Sequence, residues 1–303
     1  MIHGIINIYK EKGFTSHDVV AKLRGIIGQR KIGHTGTLDP DATGVLPVCL
    51  GKATKLCDLL TDKSKTYEAV LLLGKTTDTQ DISGALLKEA EVSNLTTETV
   101  TAGIMEFAGT YEQIPPMYSA IKVGGKRLYE LAREGRVIER KARTVTIHGI
   151  RIMEMNLPRI GIEVNCSKGT YIRTLCHDIG QKLGCGGCME ELIRTKVDRF
   201  TLKDSARLDE VERHRKNGTL NEIITPIDAM FPAYRKIRLS GDALNLVYNG
   251  GSFEAAVASV KCNDNEHVRV YNENDKFIAI YRYIETEQKF KIIKMFHDCN
   301  EMT

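Results

Sequence analysis

The spacing of apolar and polar residues along the chain predicts helices interspersed with strands. Between Thr15 and Gly28, apolar residues recur every three or four positions, as they do on one face of an α-helix. Threonine and serine are favoured at the start of a helix, and glycine is favoured just after its end. The pattern therefore predicts a helix that is capped by Thr15 or Ser16 and ends before Gly28.

The same spacing predicts three further helices, within residues 100–107, 128–135 and 172–183. Short runs rich in apolar residues predict strands at 67–73, 145–153, 160–166, 267–271, 276–283 and 290–296. The elements after Phe231 are short strands, which predicts a large domain over 1–230 and a small β-rich domain over 231–303. Together these elements predict an α+β fold.

One loop, residues 33–44, places an acid among glycines. Asp39 precedes Pro40, which disfavours helical backbone at the aspartate, and Gly36 and Gly44 allow tight turns on either side. An Asp-Pro pair in such a loop is often only a turn. Here the first 60 residues carry eight basic and five acidic side chains, so a cationic surface flanks the acid. This context favours a functional role for Asp39, at a surface that binds an anionic partner, over a simple turn.

Residues 33–44 resemble the catalytic signature of the TruB family of tRNA pseudouridine synthases, whose aspartate falls on Asp39. The likeness continues in residues 10–16, 65–67 and 168–175 and spans roughly the first two thirds of the chain. It implies a mixed, largely antiparallel sheet in the large domain and a PUA-like, RNA-binding small domain. It also implies conversion of uridine to pseudouridine at position 55, in the T loop of tRNA, with no cofactor and no metal.

The resemblance assigns catalytic roles to three residues. Asp39 is the nucleophile, and whether it attacks the sugar, attacks the base or promotes an elimination stays open. Arg173 would keep Asp39 ionised, because a neighbouring guanidinium favours the charged form of a carboxylate. Tyr67 would stack on the extruded base and take a proton from the sugar.

The resemblance also implies a set of substrate-binding residues around the extruded base. Tyr171 would line the base pocket beside Tyr67, and Leu192 would cover it, because a flipped base needs aromatic or apolar walls. His34 would stack inside the RNA loop in place of the displaced bases. Lys10, retained from an upstream family motif, completes the set.

The segment 119–143 carries eight basic and three acidic residues, a local charge of +5 in a chain whose net charge is +4. A charged run is often only a solvated helix face, but this one is interrupted by glycines and is mostly of one sign. We therefore expect contacts with the RNA backbone through Arg127, Arg136 and Arg140.

Besides Tyr9, which stands where the upstream motif usually has aspartate, two positions depart from the family pattern. Glu11 stands where the upstream motif usually has proline, and Asp198 stands where a later motif has glycine. The second change leaves the local loop geometry in question, but neither replaces an expected catalytic residue.

The eight cysteines are scattered through a chain large enough to fold without disulfides, so free thiols are expected. Cys185 and Cys188 have the spacing of a zinc-binding pair, and Cys176 and His177 lie upstream. No second such pair exists, and the upstream two fall within a predicted helix. Neither a metal site nor a cofactor site is predicted.

No apolar run is long enough to cross a bilayer, and the first residues lack the pattern of a signal peptide. We expect a cytoplasmic monomer that binds the tRNA T stem-loop and needs neither a membrane nor a protein partner.

The same residues bear on three other possible functions. A phosphate-binding loop at 74–76 is excluded, because position 69 is alanine where that motif requires glycine. A non-catalytic tRNA chaperone could use the same basic surface, although the three expected catalytic residues would then serve no purpose. A guided RNA pseudouridine synthase, like the archaeal and eukaryotic relatives of the family, also stays open.

Overall fold

The structure is a computed structural model that describes residues 1–258 and 260–297. Its α-helices are α1 (Ser16–Ile27), α2 (Cys57–Thr61), α3 (Thr97–Met105), α4 (Leu128–Arg133), α5 (Ile172–Lys182), α6 (Leu208–Asn217) and α7 (Gly241–Tyr248). Its strands are β1 (Gly4–Lys10), β2 (Ile32–His34), β3 (Thr43–Leu50), β4 (Lys65–Leu73), β5 (Lys75–Thr77), β6 (Leu86–Glu89), β7 (Gly109–Gln113), β8 (Lys122–Val123), β9 (Lys126–Arg127), β10 (Arg143–Asn156), β11 (Arg159–Cys166), β12 (Gly187–Val197), β13 (Phe200–Thr201), β14 (Ile224–Thr225), β15 (Arg235–Arg238), β16 (Phe253–Glu254), β17 (His267–Tyr271), β18 (Phe277–Ile284) and β19 (Lys289–Met295). The predicted α+β class is confirmed.

A ten-stranded sheet dominates the first part of the chain. Its order is β14-β1-β3-β12-β4-β11-β10-β7, with β2 attached to β3 and β13 attached to β12. Neighbouring strands are antiparallel except β3 and β12, which run parallel. The prediction of a mixed, largely antiparallel sheet is therefore confirmed. The parallel pair sets Gly44 beside Arg194, two residues far apart in the sequence.

Helix α1 packs on this sheet and has the ends that the sequence predicts. Thr15 caps its start through reciprocal hydrogen bonds with Asp18, and Gly28 follows its end with left-handed backbone. The buried side chains of α1 join apolar residues of β1, β3 and α6 in one cluster. The helix therefore fixes the strands on both sides of the segment 33–44.

Helix α5 packs against a different part of the sheet. Its buried apolar side chains join those of β4, β11 and α3 in the largest apolar cluster. The helix begins at Ile172, so Arg173 lies in its first turn, as predicted. The packing of α5 therefore holds Arg173 in a fixed position.

The strands from β15 onward form a second, five-stranded sheet in the order β15-β17-β18-β19-β16. The large sheet ends at Thr225 and the small one begins at Arg235, so the junction lies between these residues. An apolar cluster shared by the two sheets includes Val45 of β3 and Ile280 of β18. The two parts are therefore packed together rather than joined only by a linker.

Four helices differ from the sequence prediction: α3 differs in its end, and α2, α6 and α7 have no predicted counterpart. Helix α3 ends at Met105, so Phe107 follows the helix instead of closing it, although it still packs on the core. Helix α6 has no counterpart among the predicted elements, because only Leu208 and Val211 of its ten residues are buried. Within the described ranges, no helix combines the length and apolarity needed to cross a bilayer.

Candidate active site

Asp39 lies in the loop between β2 and β3, with 40% of its side chain open to solvent. The loop turns back at Asp39, whose carbonyl accepts a hydrogen bond from Ala42 N at 3.2 Å. Gly44 ends the loop with φ 106°, and a Cβ there would lie 2.2 Å from the carbonyl oxygen of Arg194. Glycine is therefore required at Gly44 by both its backbone angle and the adjacent strand.

The upstream motif supports this loop. Lys10 is fully buried, and its Nζ donates to the carbonyls of Glu11, Phe14 and Pro40 at 3.1, 2.6 and 3.0 Å. Ser16 Oγ accepts from Leu38 N at 2.9 Å. The contacts of Lys10 thus join the start of α1 to the residue after Asp39, and its expected contact with substrate stays a prediction.

Arg173 approaches Asp39 from the start of α5. Its Nε lies 3.0 Å from Asp39 Oδ2, and its Nη2 donates to Asp39 Oδ1 at 3.3 Å. The same guanidinium donates to the carbonyls of Tyr118 and Thr79 at 2.9 and 3.1 Å. Only 5% of the Arg173 side chain is exposed, so its position is set by the protein and not by solvent.

A second carboxylate, which the sequence did not single out, also contacts this arginine. Asp81 Oδ2 lies 3.5 Å from Arg173 Nη1, and 17% of its side chain is exposed. Its other oxygen accepts hydrogen bonds from Thr79 Oγ1 at 2.8 Å and from Ser83 N at 3.0 Å. Asp81 thereby fixes Arg173 from the side opposite Asp39.

The ionisation of Asp39 reflects opposing influences. Desolvation raises the pKa of its carboxyl above the usual value, and the charge of Asp81 raises it further, whereas the Arg173 guanidinium lowers it. The side chain keeps its contact with water and its arginine partner, so we expect a carboxylate at neutral pH. Such a group is an available nucleophile.

Tyr67 lies on β4 directly across from Arg194 on β12, and 7% of it is exposed. It belongs to the same apolar cluster as Leu38 and Leu192. Desolvation raises the pKa of Tyr67, while the nearby guanidinium of Arg194 lowers it and the charge of Asp39 raises it slightly. The structure therefore brings Tyr67 and Leu192 together with the loop that carries Asp39.

Tyr171 immediately precedes α5, and its backbone is held by one side chain. Gln113 Oε1 accepts from Tyr171 N at 2.8 Å, and Gln113 Nε2 donates to Tyr171 O at 3.0 Å. The ring is half-buried. Desolvation raises the pKa of its phenol, and Asp39 contributes in the same direction. Tyr171 therefore lies within electrostatic reach of Asp39.

His34, at the end of β2, is half-buried and has a lowered pKa. Desolvation is the main cause, followed by the positive charge of Arg194. Its Nδ1 accepts a hydrogen bond from Gly36 N at 3.3 Å, which requires an unprotonated Nδ1. The structure thus favours a neutral, flat imidazole at this position.

The basic segment 119–143 starts beside the site, next to Tyr118. Arg127 and Arg136 are exposed, and Arg127 Nη1 donates to the hydroxyl of Tyr129 at 2.9 Å. Arg140 is half-buried and donates to the Pro115 carbonyl at 3.0 Å. Arg127 and Arg136 are therefore more accessible to a ligand than Arg140.

The structure describes the loop at Asp198 and most of the cysteines. Asp198 adopts left-handed backbone with φ 51°, so it keeps a conformation that glycine adopts readily. The seven cysteines within the described ranges are free thiols, and the eighth, Cys299, lies outside those ranges. Among the described residues, no cluster of three or more His, Cys, Asp or Glu side chains is arranged to hold a metal ion.

Comparison with known families defines the class of protein to which this fold and site belong. The sequence model of the TruB family pseudouridylate synthase N-terminal domain matches residues 24–172. That of the tRNA pseudouridylate synthase B C-terminal domain matches residues 173–232. Together with the largely antiparallel sheet and the loop aspartate, these matches define a pseudouridylate synthase.

The sequences of individual relatives are similar to this one over nearly the whole chain. A protein named tRNA pseudouridine synthase B from Lachnoclostridium phytofermentans is 52% identical over 97% of this chain and 100% of its own length. Its namesake from Clostridium tetani is 44% identical over 97% of this chain and 99% of its own. The chain belongs to the TruB family, whose activity is the isomerisation of uridine to pseudouridine.

A solved structure supports the same fold. The matching chain in the crystal structure of a Cbf5-Nop10-Gar1 complex superposes with a TM-score of 0.72 at 26% identity. The match covers 98% of this chain and 86% of that one.

Proposed function

We propose that this enzyme converts uridine 55, in the T loop of tRNA, to pseudouridine, with Asp39 as the nucleophile. The proposal rests mainly on the contact between Asp39, which lies on the loop, and the buried guanidinium of Arg173. The names of the curated relatives support tRNA as the substrate.

The reaction breaks the bond between the sugar and a ring nitrogen, turns the base, and joins the sugar to a ring carbon. That carbon loses its proton, and the freed ring nitrogen gains one. It requires no net oxidation and no energy source, so one ionised carboxylate suffices as the covalent catalyst. Arg173 keeps Asp39 charged and oriented. Tyr67 lies on β4, which β12 separates from β3, and there it stacks on the base and accepts the sugar proton.

The target uridine must leave the RNA stack before Asp39 can reach it. Tyr67, Tyr171 and Leu192 form the walls for the extruded base, and Lys10 holds the loop in its binding conformation. His34 occupies the space that the base leaves in the RNA. A stacking contact of this kind contributes about 1–3 kcal/mol, and the neutral imidazole supports it.

The RNA backbone lies along the basic segment, with phosphates against Arg127, Arg136 and Arg140. We assign catalysis to residues 1–230 and assign 231–303 to a PUA-like domain that grips the acceptor stem. The separate sheet β15–β19 supports this division. The enzyme acts in the cytoplasm as a monomer and requires no protein partner.

A guided enzyme is the second candidate, because the fold matches a chain that was crystallised in a complex with Nop10 and Gar1. The deciding experiment gives the wild type and Asp39→Asn a bare, unmodified T stem-loop and detects pseudouridine by mass spectrometry after chemical labelling. Product from the wild type alone supports the stand-alone enzyme with Asp39 as the nucleophile.

The other outcomes separate the candidates. RNA binding without product from either protein would favour a guided enzyme or a tRNA chaperone. Equal product from both proteins would reject Asp39 as the nucleophile while leaving the activity intact.

A further inference from the structure

Arg194 is a buried arginine that the reaction as described does not use. It lies on β12 between β3 and β4, and 1% of its surface is exposed. No Asp or Glu among the described residues contributes to its ionisation, and desolvation lowers its pKa. A buried charge without a carboxylate partner is a poor source of stability, which suggests another reason for its presence.

The guanidinium contacts two parts of the site at once. Its Nη2 and Nη1 donate to the carbonyls of Gly36 and Thr37 at 3.3 and 3.4 Å, and its Nε donates to Val45 O at 2.7 Å. Tyr67 is the direct partner of Arg194 across β12 and β4, and the charge of Arg194 lowers the pKa of the Tyr67 phenol. The loop before Asp39 and the phenol of Tyr67 therefore share one cationic anchor.

We propose that Arg194 is a positioning residue that fixes the Asp39 loop and the Tyr67 hydroxyl relative to each other, so that both meet the same uridine. This inference rests on the proposed function.

The charge of Arg194 gives this role a signature that packing alone would not produce. Besides its contacts, the guanidinium lowers the pKa of His34. Arg194→Met removes the charge and the donors while keeping an unbranched side chain, whereas Arg194→Lys keeps the charge and loses the planar set of donors. The two variants therefore separate electrostatic from geometric effects.

The test measures single-turnover pseudouridine formation and the Kd for the T stem-loop. We expect Arg194→Met to lower the rate about 100-fold or more, because displacement of catalytic groups by about 1 Å costs that much. The Kd should stay within about threefold of the wild type. Arg194→Lys should lie in between, about tenfold below the wild-type rate.

Arg269→Met is the matched control. Its guanidinium also donates to backbone carbonyls, those of Tyr234 and Asp228 at 2.9 and 3.4 Å, but it lies in the small sheet. A stem-loop without an acceptor stem should be modified by this variant at the wild-type rate. Urea unfolding of all variants measures how far each change affects the fold.

The second readout is the pKa of His34, followed by NMR of its ring protons. It should rise in Arg194→Met and stay unchanged in Arg194→Lys. A wild-type rate in Arg194→Met, or rate losses matched by equal losses of RNA affinity in both variants, would overturn the inference.

If Arg194→Met does not fold, the test depends on Arg194→Lys. A wild-type rate in Arg194→Lys would then show that the planar guanidinium is not required and would overturn the inference. An inactive wild type would instead reject the proposed function, so the two failures are distinguishable.

Discussion

Replacing Arg173 by methionine separates a role in chemistry from a role in RNA docking. The change removes both contacts with Asp39, at 3.0 and 3.3 Å, and leaves the carboxylate without its cation. A hydrogen bond to a charged group contributes about 1.5–3 kcal/mol. Removing one partner of a buried ion pair costs about 3–5 kcal/mol. Because 40% of the Asp39 side chain is open to water, we expect a loss near the lower end of the second range.

A loss of about 3 kcal/mol in the transition state corresponds to a rate about 100-fold lower. The assay is single-turnover conversion of a T stem-loop, with the Kd measured on the same RNA. The rate should fall about 100-fold while the Kd changes by less than about threefold. A Kd that weakens at an unchanged rate would make Arg173 a docking residue and refute the reasoning.

Arg159→Met is the control for this experiment. Arg159 also makes a two-contact pair with a carboxylate, that of Glu190 at 2.7 and 3.0 Å, but 58% of its side chain is exposed. It pairs with Leu72, five residues along β4 from Tyr67, or about 16 Å away. Its removal should leave both the rate and the Kd close to those of the wild type.

Two further predictions concern pH and salt. Asp39 must be ionised to react and its pKa is raised, so the rate should fall as the pH drops through a value above that of an ordinary aspartate. Asp81→Asn removes a charge that raises this pKa, so the acid limb of the pH–rate profile should move to lower pH; a shift to higher pH would contradict the assignment. Changing Arg127, Arg136 and Arg140 together to glutamine should weaken RNA binding and reduce the slope of log Kd against log salt by about 2, since each phosphate contact contributes about 0.7–0.9. An unchanged slope would exclude this segment from the interface.

The sequence was most informative where the physical signal is local. The ends of α1 follow from a capping threonine and a closing glycine, which act within a few residues of the helix. The position of Arg173 in the first turn of α5 follows from apolar spacing in the same way. Helix α6 is not predicted because most of its residues are polar. Its two buried residues are too few to establish the apolar spacing of a helix.

The contacts within the site were less predictable, because they join segments that are distant in the chain. Nothing near Asp81 indicates that it meets Arg173, which lies 92 residues later. Arg194 occurs in a strand whose pattern gives no sign that its guanidinium crosses to Gly36. For Lys10 the motif suggested contact with substrate, and only the fold shows its ammonium among three backbone carbonyls. Tertiary structure, and not the local sequence pattern, decides what these side chains contact.

The long reach of these contacts also has a consequence for protein synthesis. When the loop with Asp39 emerges from the ribosome, Arg173 and Arg194 have not yet been synthesised. At that stage β3 also lacks its parallel neighbour β12. Contacts so distant in sequence form late, because a long stretch of chain must be ordered before they close. An unfinished polypeptide therefore holds the reactive acid without its partners, and activity begins only when the fold of the first two hundred residues is complete.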